Sequence, residues 1–238
     1  MIEGKSILAI IPARGGSKGI PRKNIIDVAG KPLIAWTIEE AKKSRYIDRL
    51  VLSSDDEEIM AVVKQWGCEV PFRRPARLAQ DDTPGIEPVL HSIAELPGYD
   101  YIVLLQPTSP LRIAADIDGC IEGCVRESAN CCVSVCEPDK SPYWMFQINK
   151  QGKLEPLIKK EVAKRRQDLP AVYVLNGAVY VAKVEWLLRA KSFLTEETLA
   201  YKMPKERSID IDNQTDLLFA QFLLKNYNSN YLHGEIRS

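Results

Sequence analysis

The chain has 238 residues, enough for one α/β domain of ordinary size with a small appended lobe and a sizeable core, and too few for a second large domain. Its 32 Lys and Arg balance 32 Asp and Glu, so no overall positive field exists to hold a polynucleotide, and nucleic acid polymers are not expected partners. The apolar run 7–11 is far shorter than a bilayer span and lacks the flanks and cleavage site of a signal peptide, so a cytoplasmic protein without membrane contact is expected.

In chain order, the run 7–11 reads as a strand that leads into a loop of glycines and cations. Pro32 opens a helix in which Leu33, Trp36, Thr37 and Glu40 follow helical spacing and Lys42-Lys43 close the last turn. Leu50-Val51-Leu52 is a second strand. Ser54 or Asp55 caps the next helix, which has an acidic first turn at 56–58, an apolar stripe of Ile59, Val62, Val63 and Trp66, and a stop at Gly67. Residues 68–72 read as a third strand, 88–96 as a helix closed by Pro97-Gly98, and 101–105 as a continuous apolar strand. A helix over 113–125 and a strand over 131–136 follow.

The regular alternation breaks between 138 and 170, where prolines, aromatics and the basic run 159–166 mark an excursion from the sheet. It resumes at Val172 and through 177–181, followed by a helix over 184–189, a strand at 209–212 and a helix over 213–224. Residues 226–238 read as a tail. Apolar strands alternating with amphipathic helices predict a Rossmann-like, mostly parallel sheet with helices on both faces. Ligands in such folds gather at the carboxyl ends of strands, which brings the loop after residue 12 together with the loop 106–112.

Six cysteines, five of them within 120–136, have neither C-x-x-C spacing nor a neighbouring histidine, so buried reduced thiols are expected rather than a metal set. With only His91 and His233 in the chain, histidine catalysis is not expected, and His91 reads as a helix residue near the surface.

The loop Ala13-Arg14-Gly15-Gly16-Ser17-Lys18-Gly19-Ile20-Pro21-Arg22-Lys23-Asn24 carries the most chemistry. Its glycines allow backbone N–H groups to form an anion-binding concavity, and Arg14, Lys18 and Lys23 supply charge for a triphosphate. It fits neither the P-loop nor the dinucleotide-binding glycine pattern. In Ser208-Ile209-Asp210-Ile211-Asp212 the alternation of an extended chain puts both carboxylates on one side, which suits a magnesium ion that also takes phosphate oxygens, or else a solvated edge strand. Gln106, Thr108, Ser109 and Arg112 offer amide, hydroxyl and guanidinium groups in one turn.

The pattern A-R-x-x-S-K-G-x-P-x-K-N resembles the N-terminal loop of the CMP-sugar-acid synthetases, the acylneuraminate cytidylyltransferase family. Leu105-Gln106-Pro107-Thr108-Ser109-Pro110-Leu111-Arg112 and S-I-D-I-D are also similar to that family, as are Arg74-Pro75 with Leu78-Ala79 and Asp82-Thr83, Arg166-Gln167 before Leu169-Pro170, and Asn176-Gly177-Ala178-Val179-Tyr180. The resemblance covers about residues 7–225. It implies a homodimeric enzyme that takes CTP and a nine-carbon 2-keto sugar acid of sialic, legionaminic or pseudaminic type, and releases pyrophosphate with magnesium present.

Residue by residue, the resemblance implies that Ala13, Arg14, Ser17, Lys18, Lys23, Asn24 and Arg74 hold the nucleotide. Gln106, Thr108, Ser109, Arg112, Arg166, Asn176 and Tyr180 would hold the acid, Asp210 and Asp212 the metal, and Arg14, Lys18 and Asp212 would act on the reacting groups. The 138–170 excursion would pack on a second subunit. No general base is readable; a metal-bound alkoxide or one of the two aspartates remains open. Two departures bear on the acid: Val174 stands where many sialic acid synthetases have arginine, and Trp144 where a lysine contacts substrate. Pro84-Gly85-Ile86 replaces a serine-rich stretch near the base. An eight-carbon acid synthetase and a nucleotide-binding module without turnover are the alternatives.

Overall fold

The computed structural model describes residues 1–158, 165 and 169–226. Its strands are β1 (Ile7–Pro12), β2 (Asp27–Val28), β3 (Lys31–Pro32), β4 (Arg49–Ser53), β5 (Tyr101–Leu105), β6 (Cys131–Cys136), β7 (Phe146–Ile148), β8 (Leu154–Pro156), β9 (Val174–Lys183) and β10 (Leu199–Lys202). The helices are α1 (Leu33–Lys43), α2 (Glu57–Gln65), α3 (Glu87–Glu95), α4 (Ala114–Arg126), α5 (Val184–Ala190) and α6 (Gln214–Asn226).

The central sheet has the order β10-β6-β9-β5-β1-β4. Its neighbours pair in parallel except on both sides of β9, which runs against β5 and β6. The expected α/β fold with a mostly parallel sheet is therefore what the chain forms. Alternate residues explain the two covered faces. Ile7, Ala9 and Ile11 of β1 join Val103 and Leu105 in a core with Ile34 and Ile38 of α1 and Ile117 and Ile121 of α4. Leu8 and Ile10 point the other way, with Ile102, against Val89 of α3 and Leu187 of α5. Each of the isoleucine, leucine and valine side chains taken wholly from water contributes roughly 1.5–3 kcal/mol, which is why an uninterrupted apolar run marks a doubly covered strand.

Several local expectations need correction. Residues 68–72 form no strand beyond one bridge between Val51 and Glu69, because Pro71 lacks the N–H that a ladder would need. The α2 cap is Asp56, whose side chain accepts the Ile59 N–H at 2.9 Å; Asp55 is turned instead toward the glycine loop. His91 lies mostly inside, at 13% exposure, with the Phe72 ring edge-on at 5.2 Å. Residues 209–212 join no sheet: the Ile211 N–H donates to the Thr108 carbonyl at 2.9 Å, so the segment crosses the ends of the strands rather than extending one. The edge strand β10 and the β7–β8 hairpin are further elements that the sequence pattern does not announce.

All six cysteines are buried, and burial pushes the thiols of Cys68 and Cys124 up to about 12. No helix among the described residues is long and apolar enough to cross a membrane.

Candidate active site

At the carboxyl end of β1 the chain must turn through the cationic loop without colliding with the segment 209–212. At Gly19 a Cβ would run into the backbone carbonyl of Asp212, so this glycine permits a close approach rather than a left-handed turn. The Gly15 N–H donates to Asp55 at 3.2 Å, which fixes the loop from the β4 side. Asn24, nearly buried, donates its amide N–H to the Arg14 carbonyl at 3.1 Å. Lys23 reaches across to donate to the Ile211 carbonyl at 2.7 Å, with Asp212 at 3.3 Å. These bonds bring the N-terminal loop and the C-terminal aspartate segment against each other, although 188 positions separate Lys23 from Ile211.

A cavity of about 740 Å³ opens above them and takes lining from both. Arg14, Ser17, Lys18, Lys23, Asn24 and Arg74 form one side of it. Arg74 is buried, donates through Nε to Ser53 at 3.1 Å, and is held down at about 10 chiefly by burial. Arg14 and Lys18 both contact Asp81, each at 2.8 Å. Hydrogen bonding to Lys18, with Arg14 as a further partner, holds the Asp81 carboxyl below the usual range. Asp81 is a residue that sequence reasoning passed over in favour of its neighbours Asp82 and Thr83. Only the pairing across the cavity singles it out.

Gln106, Thr108 and Tyr180 line the cavity further along. Gly177 has φ +72°, and a Cβ there would stand 2.9 Å from the Gln106 side-chain oxygen, so only glycine lets β9 start so close to that amide. The remaining acid-side residues sit below the surface of the cavity. Arg112 is 1% exposed and donates through Nη1 to the Gln106 carbonyl at 3.1 Å and the Ala178 carbonyl at 2.7 Å, while its Nε and Nη2 have no hydrogen-bond partner among the described residues. Burial lowers it to about 10. It ties the loop after β5 to β9 and does not face the cavity. Ser109 is fully buried; Asn176 accepts from Ser134 and donates to Ser208, holding the start of β9. Ala13 is likewise buried, its N–H donating to the Ser53 carbonyl at 3.0 Å. Arg166 lies outside the described residues.

The two aspartates differ. Asp212 is 75% exposed beside Lys23 and lines the cavity. Asp210 lies deeper: its Oδ1 is buried without a hydrogen-bond partner among the described residues, and its carboxyl is pushed up chiefly by burial, with Thr108 pulling the other way. A buried carboxylate oxygen left unpaired costs free energy that a cation would recover. One deep and one open carboxylate, two residues apart, fit the donor set of magnesium, which takes few protein oxygens and keeps positions for water and phosphate.

A cationic cavity at the carboxyl ends of a mostly parallel α/β sheet is the layout of a nucleotide-handling fold. The family model for cytidylyltransferases matches residues 8–228, and the chain belongs to that family. It is 35% identical over 213 residues to an N-acylneuraminate cytidylyltransferase of Streptococcus agalactiae, an alignment covering 89% of this chain and 51% of the relative. The chain thus spans about half the length of that relative. To a pseudaminic acid cytidylyltransferase of Campylobacter jejuni it is 35% identical over 222 residues, covering 92% of this chain and 96% of the relative. Among solved structures, a CMP:2-keto-3-deoxy-manno-octonic acid synthetase complexed with CTP superposes with a TM-score of 0.71 at 15% identity, covering 92% and 98% of the two chains. That likeness speaks for the fold alone.

Proposed function

We propose that this protein is a cytidylyltransferase that joins CMP from CTP to a nine-carbon 2-keto sugar acid and releases pyrophosphate. The observation that carries the reading is the single cavity lined by Arg14, Lys18 and Lys23 on one side and by Gln106, Thr108 and Tyr180 further along, with Asp212 at its edge. In this reading Arg14, Ser17 and Lys18 grip the triphosphate, Asn24 fixes the loop, and Arg74 adds a buried positive charge beside it. Gln106, Thr108 and Tyr180 contact the acid, and Arg112, Ser109 and Asn176 support them from beneath.

The anomeric hydroxyl attacks the α-phosphorus as pyrophosphate leaves, so the protein's work is to align the two reactants and offset charge on the departing oxygens. Asp210 and Asp212 would hold magnesium, which when bound neutralises phosphate charge. The nine-carbon class is supported by sequence relatives at 35% identity that are named for N-acylneuraminate and pseudaminic acid. The eight-carbon synthetase matches at 15% identity, in fold only. The test incubates the protein with magnesium, each nucleoside triphosphate and a panel of sugar acids, and measures pyrophosphate. Release is expected with CTP and a nine-carbon acid. Release with no triphosphate would leave a binding module, and release with an eight-carbon acid alone would move the reading to that class.

A homodimer built through the 138–170 lobe belongs to the same proposal. Phe146, Ile148 and Leu154 on the β7–β8 hairpin are all exposed, as are Trp144, Met145 and Leu157 beside them. Contiguous apolar surface of this kind is characteristic of interfaces. A sedimenting monomer under the assay conditions would remove the dimer from the proposal.

Asp81 yields a prediction of unusual sign. It satisfies Arg14 and Lys18 before any triphosphate arrives, so an incoming nucleotide must displace it. Asp81→Asn is expected to bind CTP roughly two- to fivefold more tightly, the scale of an exposed ion pair. Calorimetry with CTP alone measures this, with Asp82→Asn as the matched control. Weaker binding in Asp81→Asn would mean that its carboxylate assists the nucleotide instead.

A further inference from the structure

We propose that Arg207 is a positioning residue for the two aspartates: through its buried pair with Asp116 it fixes where Asp210 and Asp212 stand relative to the acid-side loop. The inference rests on the cytidylyltransferase reading above and on the magnesium site within it. It begins from a mechanical difficulty. Residues 208–212 form no ladder with any described strand, so the sheet does not set their place. They also gather carboxylates: Asp210 feels the negative charges of Asp212 and Asp216, and its Oδ1 is buried without a partner among the described residues. Like charges so close repel, and without fixed anchors the segment would relax away from the cavity before a metal arrives.

Anchors stand on both sides. Downstream, the Ile211 N–H donates to the Thr108 carbonyl at 2.9 Å, and Lys23 donates to the Ile211 carbonyl at 2.7 Å. Upstream, Asn176 donates to the Ser208 hydroxyl at 2.9 Å, and Arg207 donates through Nε and Nη2 to the two oxygens of Asp116 at 2.9 and 2.8 Å. Asp116 is fully buried in the first turn of α4, where it also accepts the Ile113 N–H at 3.1 Å. A fork bonded to both oxygens fixes direction as well as distance, which a single ammonium cannot do. Tyr201 of β10 closes on α4 one turn further: a Cβ on Gly119 would stand 2.5 Å from its ring.

The same end of α4 serves the acid side. Arg112, just ahead of that helix, donates to the Gln106 and Ala178 carbonyls. A Cβ on Gly177 would stand 2.9 Å from the Gln106 side-chain oxygen and 3.3 Å from Asp210 Oδ2, so amide and carboxylate meet over that glycine. The start of α4 is thus a common reference for a group that contacts the acid and a group that holds the metal. From Arg207 to Asp210 the chain spans at most roughly 11 Å, so slack at the anchor passes directly to the carboxylate. A buried ion pair adds little stability over an apolar one, because lost hydration offsets the attraction. What this pair supplies is a fixed location.

The test reads metal binding apart from turnover. With CTP present and the acid left out no transfer occurs, and the rise in Tm with added magnesium reports assembly of the metal–nucleotide site. Arg207→Met is expected to raise the magnesium concentration at the midpoint of that rise roughly tenfold, the scale on which groups that orient metal ligands act. Pyrophosphate release with the acid turned over fastest should show the same shift, while KM for the acid at saturating magnesium stays within about twofold. Arg207→Lys should fall between wild type and Arg207→Met, and its midpoint decides in place of Arg207→Met should the latter not fold. Arg45→Met is the control: Arg45 bonds Asp118 of the same helix at 2.9 Å, outside the cavity lining, so its loss should lower Tm without moving the midpoint. An unmoved midpoint in the folded Arg207 variant, or an equal move in Arg45→Met, overturns this inference and leaves the parent reading standing. A wild-type protein that turns over CTP without any magnesium response removes the metal site and this inference with it. One that releases no pyrophosphate with any acid overturns both together.

Discussion

Lys18→Ala is expected to lower turnover more than tenfold, with pyrophosphate release at saturating CTP and acid as the measurement. Lys18 is 76% exposed and among the described residues pairs only with Asp81, so its removal should leave the fold untouched and withdraw one charge from the triphosphate side of the cavity. Charge aimed at a leaving group counts most when the bond is breaking, so the loss should appear in kcat rather than in CTP affinity alone. Affinity for CTP should fall as well, because Asp81 then pairs with Arg14 alone and competes with the nucleotide for it. A near-normal kcat would reject the role, and an equivalent loss confined to KM for CTP would reduce Lys18 to uniform binding.

The second large effect concerns the carboxylates. Asp212→Asn is expected to raise the magnesium concentration for half-maximal activity by about tenfold or more, since magnesium held by one or two protein carboxylates loses much of its protein-derived charge when one becomes an amide. The substitution keeps shape and leaves Lys23 bonded to the Ile211 carbonyl, so the loop should stay in place. Asp210→Asn makes the contrast: its carboxyl is buried and has an unpaired oxygen, so neutralising it should stabilise the metal-free protein while abolishing the metal response. Thermal unfolding with and without magnesium and CTP reads both effects. A magnesium titration that Asp212→Asn does not shift removes that residue from the metal site.

Much of this arrangement is legible in the amino-acid order, for identifiable reasons. β1 and β5 are apolar at every position because both faces of the sheet are covered there, and the loop after β1 gathers its glycines and cations within one short stretch of sequence. Patterns of local chemistry therefore point to Arg14, Lys18, Asp210 and Asp212. β10 is hidden because its residues alternate between half-buried and exposed at a sheet edge, without the continuous apolar run of a central strand. Residues 209–212 alternate like a strand but form no ladder with any described strand, so periodicity alone misleads there. Arg112 carries the groups of a ligand-binding side chain, and only packing reveals that it is buried, with Nη1 donating to two carbonyls. Asp81 owes its significance to what stands across the cavity, which no local window contains.

The reversed direction of β9 has a mechanical consequence. Cys136 at the end of β6 pairs with Val174 at the start of β9, so the chain leaves and re-enters the sheet at the same rim that carries the cavity. Val174 and Leu175 are exposed beyond the end of β5, and the hairpin hangs from that rim. In the proposed dimer, a second subunit docked on the lobe would be moored beside the mouth of the cavity, and the traffic of small molecules would be mechanically linked to assembly.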